Sequence, residues 1–181
     1  MKKFLLILTI LAIGAMSWSC GGGKAENESK DCPDFQAIGL DGGEYSNNAF
    51  KDSEVTVMNF WFTDCGACIS EIGTLSELAR DLQAKNVKLV GICVDAGTDE
   101  INQKAKKILQ ANNGTYMNYY IKSGDEMKNF IKNIQAYPMT ILVDKNGKII
   151  GDPIIGTVDS NDGISKLHKR IDEIIKNNGS N

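Results

Sequence analysis

The apolar run Val55-Thr56-Val57-Met58-Asn59-Phe60-Trp61-Phe62 leads through Thr63-Asp64 into Cys65-Gly66-Ala67-Cys68, and from there into residues whose apolar members recur at three and four: Ile69, Ile72, Leu75, Leu78, Ala79 and Leu82. β-Branched and aromatic residues make the first stretch a strand, and the spacing makes the second an amphipathic helix. Two cysteines therefore sit at a strand-to-helix junction. Residues three apart on a helix share a face, so the sulfurs can reach bonding distance with little backbone distortion. The first cysteine falls at the helix N-terminus, where unpaired N–H groups and the helix dipole stabilise a thiolate. Dithiols of this spacing reach pKa values of roughly 3.5–7.5 against about 8.5 for a free cysteine. Cys65 is the expected nucleophile and Cys68 the buried resolving partner.

Two plainer readings of the pair stand beside this one. Half a zinc site needs two further ligands, and the chain offers Cys32, Cys93 and the single His168, none of them paired at ligand spacing. A structural disulfide is the other, although so small a loop closes little chain entropy and stabilises weakly. Neither a metal nor a cofactor is expected.

Met1 to Ser19 reads as a signal peptide. Lys2 and Lys3 precede an apolar run from Phe4 to Met16 that is too short to span a bilayer comfortably. It ends in Ser17-Trp18-Ser19-Cys20 before Gly21-Gly22-Gly23, which resembles a bacterial lipoprotein cleavage site with Cys20 as the lipidated first residue. Ser17 and Trp18 depart from the usual aliphatic and small residues there. Gly21 at the second mature position resembles an outer-membrane address facing the periplasm. Residues 20–32 are rich in Gly, Lys, Glu and Asn and read as a flexible tether, and the domain proper runs over 33–181. Without Met1–Ser19 the chain has 18 basic against 23 acidic residues, a mildly acidic body that argues against nucleic acid as a partner.

Beyond the tether, strand and helix patterns alternate. Val87–Val94 is a second strand, Thr98–Ala111 a helix stopped by Asn112-Asn113-Gly114, Tyr116–Ile121 a short strand and Gly124–Gln135 a short helix. Pro138 opens Met139-Thr140-Ile141-Leu142-Val143, and Asp144-Lys145-Asn146-Gly147-Lys148 then turns the chain into Ile149-Ile150. Ile164, Leu167, Ile171, Ile174 and Ile175 give a closing helix. Parallel β-α-β units followed by a hairpin and a helix predict an α/β fold, a mixed central sheet with helices on both faces.

This order, with the strand leading into Cys65-Gly66-Ala67-Cys68, the Tyr137-Pro138-Met139-Thr140 junction and the Asp144–Lys148 hairpin, resembles the thioredoxin fold. More narrowly it is similar to TlpA/ResA-type membrane-anchored thiol-disulfide oxidoreductases, from about Pro33-Asp34-Phe35 to the last helix. Asn59-Phe60-Trp61, Val90-Gly91-Ile92-Cys93-Val94-Asp95 and the strand and helix inserted before Pro138 carry the narrower likeness. The resemblance implies an exported dithiol enzyme that reduces disulfides in protein clients, in cytochrome c maturation or in thiol repair, and that is re-reduced by a membrane electron donor. It makes Glu71, one turn after Cys68, the catalytic carboxylate. It makes Pro138 cis, and Tyr137 and Pro138, with Trp61 and Phe62 as apolar surface, the client-binding loop. Asn59 stands where thioredoxin itself has a buried acid. The plainer reading of Glu71 is a solvated helix glutamate; that of Trp61 and Phe62 is core packing.

Asp64 stands where the resemblance usually has Trp, and Ala67 where many members have Pro. A carboxylate beside Cys65 opposes its thiolate by about 0.7 kcal/mol at roughly 6 Å in water, or about 3 kcal/mol at an effective dielectric of 20. The helix terminus returns about 0.3–2 kcal/mol, so the solvation of Asp64 decides the balance. Cys93 reads as an inert buried thiol, Cys32 as free or bridged, His168 as a boundary residue and Tyr119-Tyr120 as packing. Two alternatives remain open: a peroxiredoxin-like peroxidase, for which Thr63 is misplaced and Arg80 and Arg170 are the only arginines, and a redox-inert binding module with a structural disulfide.

Overall fold

The organising element is β4 (Val55–Trp61), buried along its whole length. A computed structural model describes residues 30–179 of the chain; the targeting segment, Cys20 and the tether as far as Ser29 lie outside the described residues. The described elements run β1 (Lys30–Asp31), β2 (Gln36–Gly39), β3 (Glu44–Ser46), a 3-10 helix (Asn47–Asp52), β4, α1 (Gly66–Gln83), β5 (Val87–Cys93), α2 (Asp99–Ala111), β6 (Met117–Ser123), α3 (Asp125–Lys132), β7 (Met139–Asp144), β8 (Lys148–Ile149), β9 (Ile154–Ile155) and α4 (Asn161–Asn178). The strands join one sheet in the order β1-β8-β7-β4-β5-β6-β2-β3, with β9 also paired to β7. β4, β5 and β6 are parallel neighbours, and β7 lies antiparallel to β4.

Alternation along β4 divides the core in two. Val55, Val57 and Trp61 face α1, α2 and α4, packing with Ile72, Leu75, Leu82, Ala105, Leu167 and Ile171. Met58 and Phe60 face the opposite side, where Phe50 of the 3-10 helix and Met127 of α3 pack with Phe35 and Tyr45. Both crossovers, β4-α1-β5 and β5-α2-β6, put their helix on the same side, as the uniform hand of such connections requires. The expected mixed sheet covered on both faces is therefore present.

Local chemistry sets the ends of these elements. Thr98 Oγ1 accepts from Ile101 N and Ser160 Oγ from Gly163 N, so α2 and α4 each begin on a side-chain cap. In the β7–β8 turn the Asp144 carboxylate accepts from the backbone of Asn146 and Lys148, and Gly147 takes φ +79°. That left-handed conformation is one that glycine adopts without strain.

The sheet begins earlier than the composition suggests. Lys30 pairs with Ile149 and Asp31 with Lys148, and Cys32 N donates to Gly147 O. The last three residues assigned to the tether thus belong to the domain, because they close the open edge of β8. The β2–β3 hairpin, which the sequence pattern does not reveal, closes the other edge against β6. Among the described residues, no helix is long and apolar enough to cross a membrane.

Candidate active site

β4 ends at Trp61, and the chain turns through Phe62-Thr63-Asp64 to place Cys65 as the N-cap of α1. Two anchors hold this turn. Cys65 N donates to Phe62 O, and Thr63 donates to the Asp95 carboxylate through both its backbone N–H and its hydroxyl, the latter at 2.6 Å. Asp95 follows β5, so the loop before the dithiol is tied to the neighbouring strand.

Cys65 and Cys68 are joined by a disulfide with Cα atoms 5.2 Å apart. Cys68 N donates to Cys65 Sγ at 3.1 Å, the contact expected of a sulfur that caps a helix. Cys65 is 6% exposed and Cys68 2%, so what access solvent has to the pair falls mainly on Cys65.

The register of β7 on β4 sets Met139 against Phe60, which brings Tyr137-Pro138 alongside the turn that carries the dithiol. The Tyr137–Pro138 peptide bond is cis, as the resemblance implied. The Tyr137 and Phe62 rings meet edge to face with centroids 5.3 Å apart, both half-buried against the cluster that contains Cys65 and Cys68. Burial, and after it the charge of Asp95, push the Tyr137 hydroxyl above its ordinary pKa.

Glu71 is fully buried, which sets aside the reading of a solvated helix residue. Its Oε1 accepts from Asn59 Nδ2 and its Oε2 from Val158 N, each at 2.9 Å. Burial raises its pKa first of all; the Val158 and Asn59 donors lower it and the charge of Asp159 raises it. A carboxyl held above its ordinary range, one turn along α1 from Cys68, is placed to exchange a proton with that thiol. The segment that supplies Val158 N also reaches the cis-proline, since Gly156 N donates to Pro138 O at 2.8 Å.

One expectation changes, and the question left open at Asp64 closes. Trp61 is 1% exposed and donates its indole N–H to Asn118 Oδ1 at 2.8 Å. It shares the inner face of β4 with Val57, so it is a core residue and offers no surface to a client. Asp64 is solvated, with its side chain 78% exposed and paired to Lys104 Nζ at 2.7 Å, so its field reaches Cys65 through water and is partly balanced by a cation.

The remaining residues fall as the sequence reads them. Cys93 is buried and points its thiol at Asp95 Oδ1; burial first, then the Asp95 charge, push its pKa up. Cys32 is free and buried, its thiol pushed up to about 12 by burial and then by Asp34. Tyr119 stacks on Tyr45 at 4.7 Å, and His168 sits half-buried on α4. Arg170 donates to the carbonyls of Ile150 and Asp152, and Arg80 lies exposed on α1. Sequence reasoning passed over Val158, Thr140, Asn118 and Lys104. Val158 acts through its backbone and leaves no residue-type signal, and the other three act through partners distant in the chain.

A buried-sheet α/β fold with a helix-capping dithiol beside a cis-proline defines a thioredoxin-like protein. The chain belongs to the AhpC/TSA family, whose profile matches residues 29–152. It is 28% identical over 174 residues to the "Thioredoxin-like protein YneN" of Bacillus subtilis, covering 92% of this chain and 98% of that one. It is 26% identical over 169 residues to the "Thiol-disulfide oxidoreductase ResA" of Bacillus thuringiensis, covering 86% and 91%. A solved thiol:disulfide interchange protein from Bacteroides sp. superposes with a TM-score of 0.63 at 23% identity, over 80% of this chain and 90% of that one; that likeness carries the fold.

Proposed function

We propose that this chain, a thiol-disulfide oxidoreductase of thioredoxin type, works as a reductant of disulfides in exported protein clients. The observation that carries the reading is the Cys65–Cys68 pair at the head of α1, with the cis Tyr137–Pro138 loop packed on Phe62 just before it and the buried Glu71 one turn after Cys68. The Cys65 thiolate attacks a client sulfur, forming a mixed disulfide and releasing the first client thiolate. Cys68 gives its proton to Glu71 and attacks Cys65 Sγ, which forms the Cys65–Cys68 bond and releases the second client thiolate. The client is oxidant and is reduced; the dithiol is oxidised. Tyr137 and Pro138 offer backbone to an extended client segment, and the Phe62–Tyr137 edge supplies the apolar contact without Trp61, which is buried.

The location follows from the signal-like residues 1–19: export, lipidation of Cys20, and a tether that holds the domain at the outer membrane facing the periplasm. A membrane electron donor then restores the dithiol. The deciding experiment is the reduction potential of Cys65–Cys68 in the chain without Met1–Cys20, measured by equilibration with thiol redox buffers and alkylation. A value of roughly −270 mV or lower supports a reductant, and one near −120 mV supports an oxidant or isomerase in its place.

The AhpC/TSA match favours a second reading, a peroxidase. Against it, the Thr63 hydroxyl is committed to Asp95 and the Arg170 guanidinium to two carbonyls. Consumption of hydrogen peroxide by the reduced protein would establish it. Unchanged function in Cys65→Ala would leave a redox-inert module.

A further inference from the structure

Under α1 the sheet carries a row of four residues in register: Thr140 on β7, Asn59 on β4, Gly91 on β5 and Asn118 on β6. Asn59 holds the centre of this row and meets Glu71 from below. One proton of its Nδ2 goes to Glu71 Oε1 at 2.9 Å, the other to Thr140 Oγ1 at 3.1 Å. An asparagine amide has two donor protons on nitrogen and no charge of its own, so both are committed while the side chain stays neutral. Val158 N serves the other carboxylate oxygen from a fixed backbone position. Both donors favour the ionised carboxylate.

The groups facing Glu71 make that help necessary. Asp159 approaches from the segment before α4, the Tyr116 hydroxyl from the residues before β6, and Cys68 from one turn earlier on α1. None of these carries a positive charge.

We propose that Asn59, braced by Thr140, is the positioning residue of the resolving step: it aims Glu71 and supplies a donor to its carboxylate form, the form that accepts the Cys68 proton. This rests on the reading of Glu71 as proton acceptor. The step balances: the proton moves from Cys68 Sγ to Glu71, the Cys68 thiolate attacks Cys65 Sγ, and the partner sulfur leaves with the electron pair of the broken bond. Asp at this position would add a second carboxyl to the site, and Leu would leave Oε1 without its side-chain donor.

The test uses the full chain in mild detergent, with Cys20→Ser so that the dithiol is the accessible thiol pair. The reduced protein is mixed with 5,5′-dithiobis(2-nitrobenzoate) in a stopped-flow instrument across pH 5–9. Attack by Cys65 releases the first coloured thiolate, and attack by Cys68 on the mixed disulfide releases the second. Asn59→Leu is expected to leave the first phase within twofold. It should slow the second about tenfold or more at pH 7 and move its pH profile alkaline by about one unit, the range for loss of a hydrogen bond to a charged group. In a Glu71→Gln background, Asn59→Leu should change neither. An unshifted second phase in Asn59→Leu, or a shift that persists without Glu71, overturns the inference. If Asn59→Leu fails to fold, the near-isosteric Thr140→Val decides: it should slow the second phase about threefold with an alkaline shift, and a wild-type profile overturns the inference equally. A Glu71→Gln chain whose second phase keeps the wild-type profile refutes the proton-acceptor reading itself, which separates the two failures.

Discussion

Gly91→Ala is the most informative single methyl group that can be added to this protein. A Cβ built at Gly91 lies 1.9 Å from Asn118 Oδ1, 2.7 Å from its Cγ and 3.1 Å from Tyr116 Cε2, so the Asn118 side chain has to leave. It accepts the Trp61 indole N–H and donates to Tyr116 O, in a layer where Trp61 is 1% and Asn118 5% exposed. Overpacking of this kind costs about 1–3 kcal/mol, and a buried indole N–H left without its acceptor about 1–3 kcal/mol more. Against this, alanine restricts the unfolded chain and returns about 0.4–1 kcal/mol. The expected net loss is about 1–5.5 kcal/mol, a large share of the roughly 5–15 kcal/mol that hold a domain folded. Urea unfolding of the chain without residues 1–20, in which Trp61 is the sole tryptophan, reads it directly from fluorescence. Combining Gly91→Ala with Asn118→Ala should cost less than the sum of the two, because the second change removes the atoms the first collides with. A loss below about 1 kcal/mol, or strict additivity, would refute the packing argument.

Asp64→Asn should lower the pH at which Cys65 alkylates by half a unit or less, since about 0.7 kcal/mol at roughly 6 Å in water is further offset by Lys104; a shift above one unit, followed by iodoacetamide trapping and mass spectrometry, would place Asp64 in a shielded field. The raised pKa of Glu71 means the folded state binds its proton more tightly than the unfolded chain does. Its contribution to stability is thus whole below about pH 4.5 and declines as pH rises through the folded value. Glu71→Gln should therefore gain on the wild type with rising pH in urea titrations at pH 4, 6 and 8, and a constant difference would contradict the burial argument. With Cys32 near 12, about one thiol in ten thousand is ionised at pH 8. Cys32 and the equally buried Cys93 should resist alkylation until denaturant is added, whereas rapid labelling of either in the native protein would show that its shell opens.

The parts of the fold that were legible in the sequence are those whose signal is local and periodic. β4, α1, β5, α2 and the β7–β8 turn declare themselves through apolar repeats and breakers within ten or so residues. β2 and β3 do not, being four and three residues long and separated by a turn that carries Gly42 and Gly43; the pairing of β2 with β6, distant in the chain, and of β3 with β2 is what makes them strands. The dithiol and the cis-proline could be read because both are written in residue types. The surroundings of Glu71 could not, because one donor is a backbone amide. Trp61 shows a signal present but unused: it shares parity with Val55 and Val57, and the apolar stripe of α1 predicts that this face is covered. The partner of Asp64 lies on α2, forty residues on, where no local rule points to it.

The pairing of Lys30 with Ile149, of Ile149 with Val143, and of Val143 with Thr56 fixes the level at which the described chain joins the sheet. Thr56 and Trp61 are five residues apart on β4, roughly 17 Å at the usual rise of a strand, and the sulfurs lie beyond Trp61. The chain therefore enters the sheet at the foot of β4 and carries its reactive sulfurs at the head, so entry and chemistry occupy opposite poles of the domain.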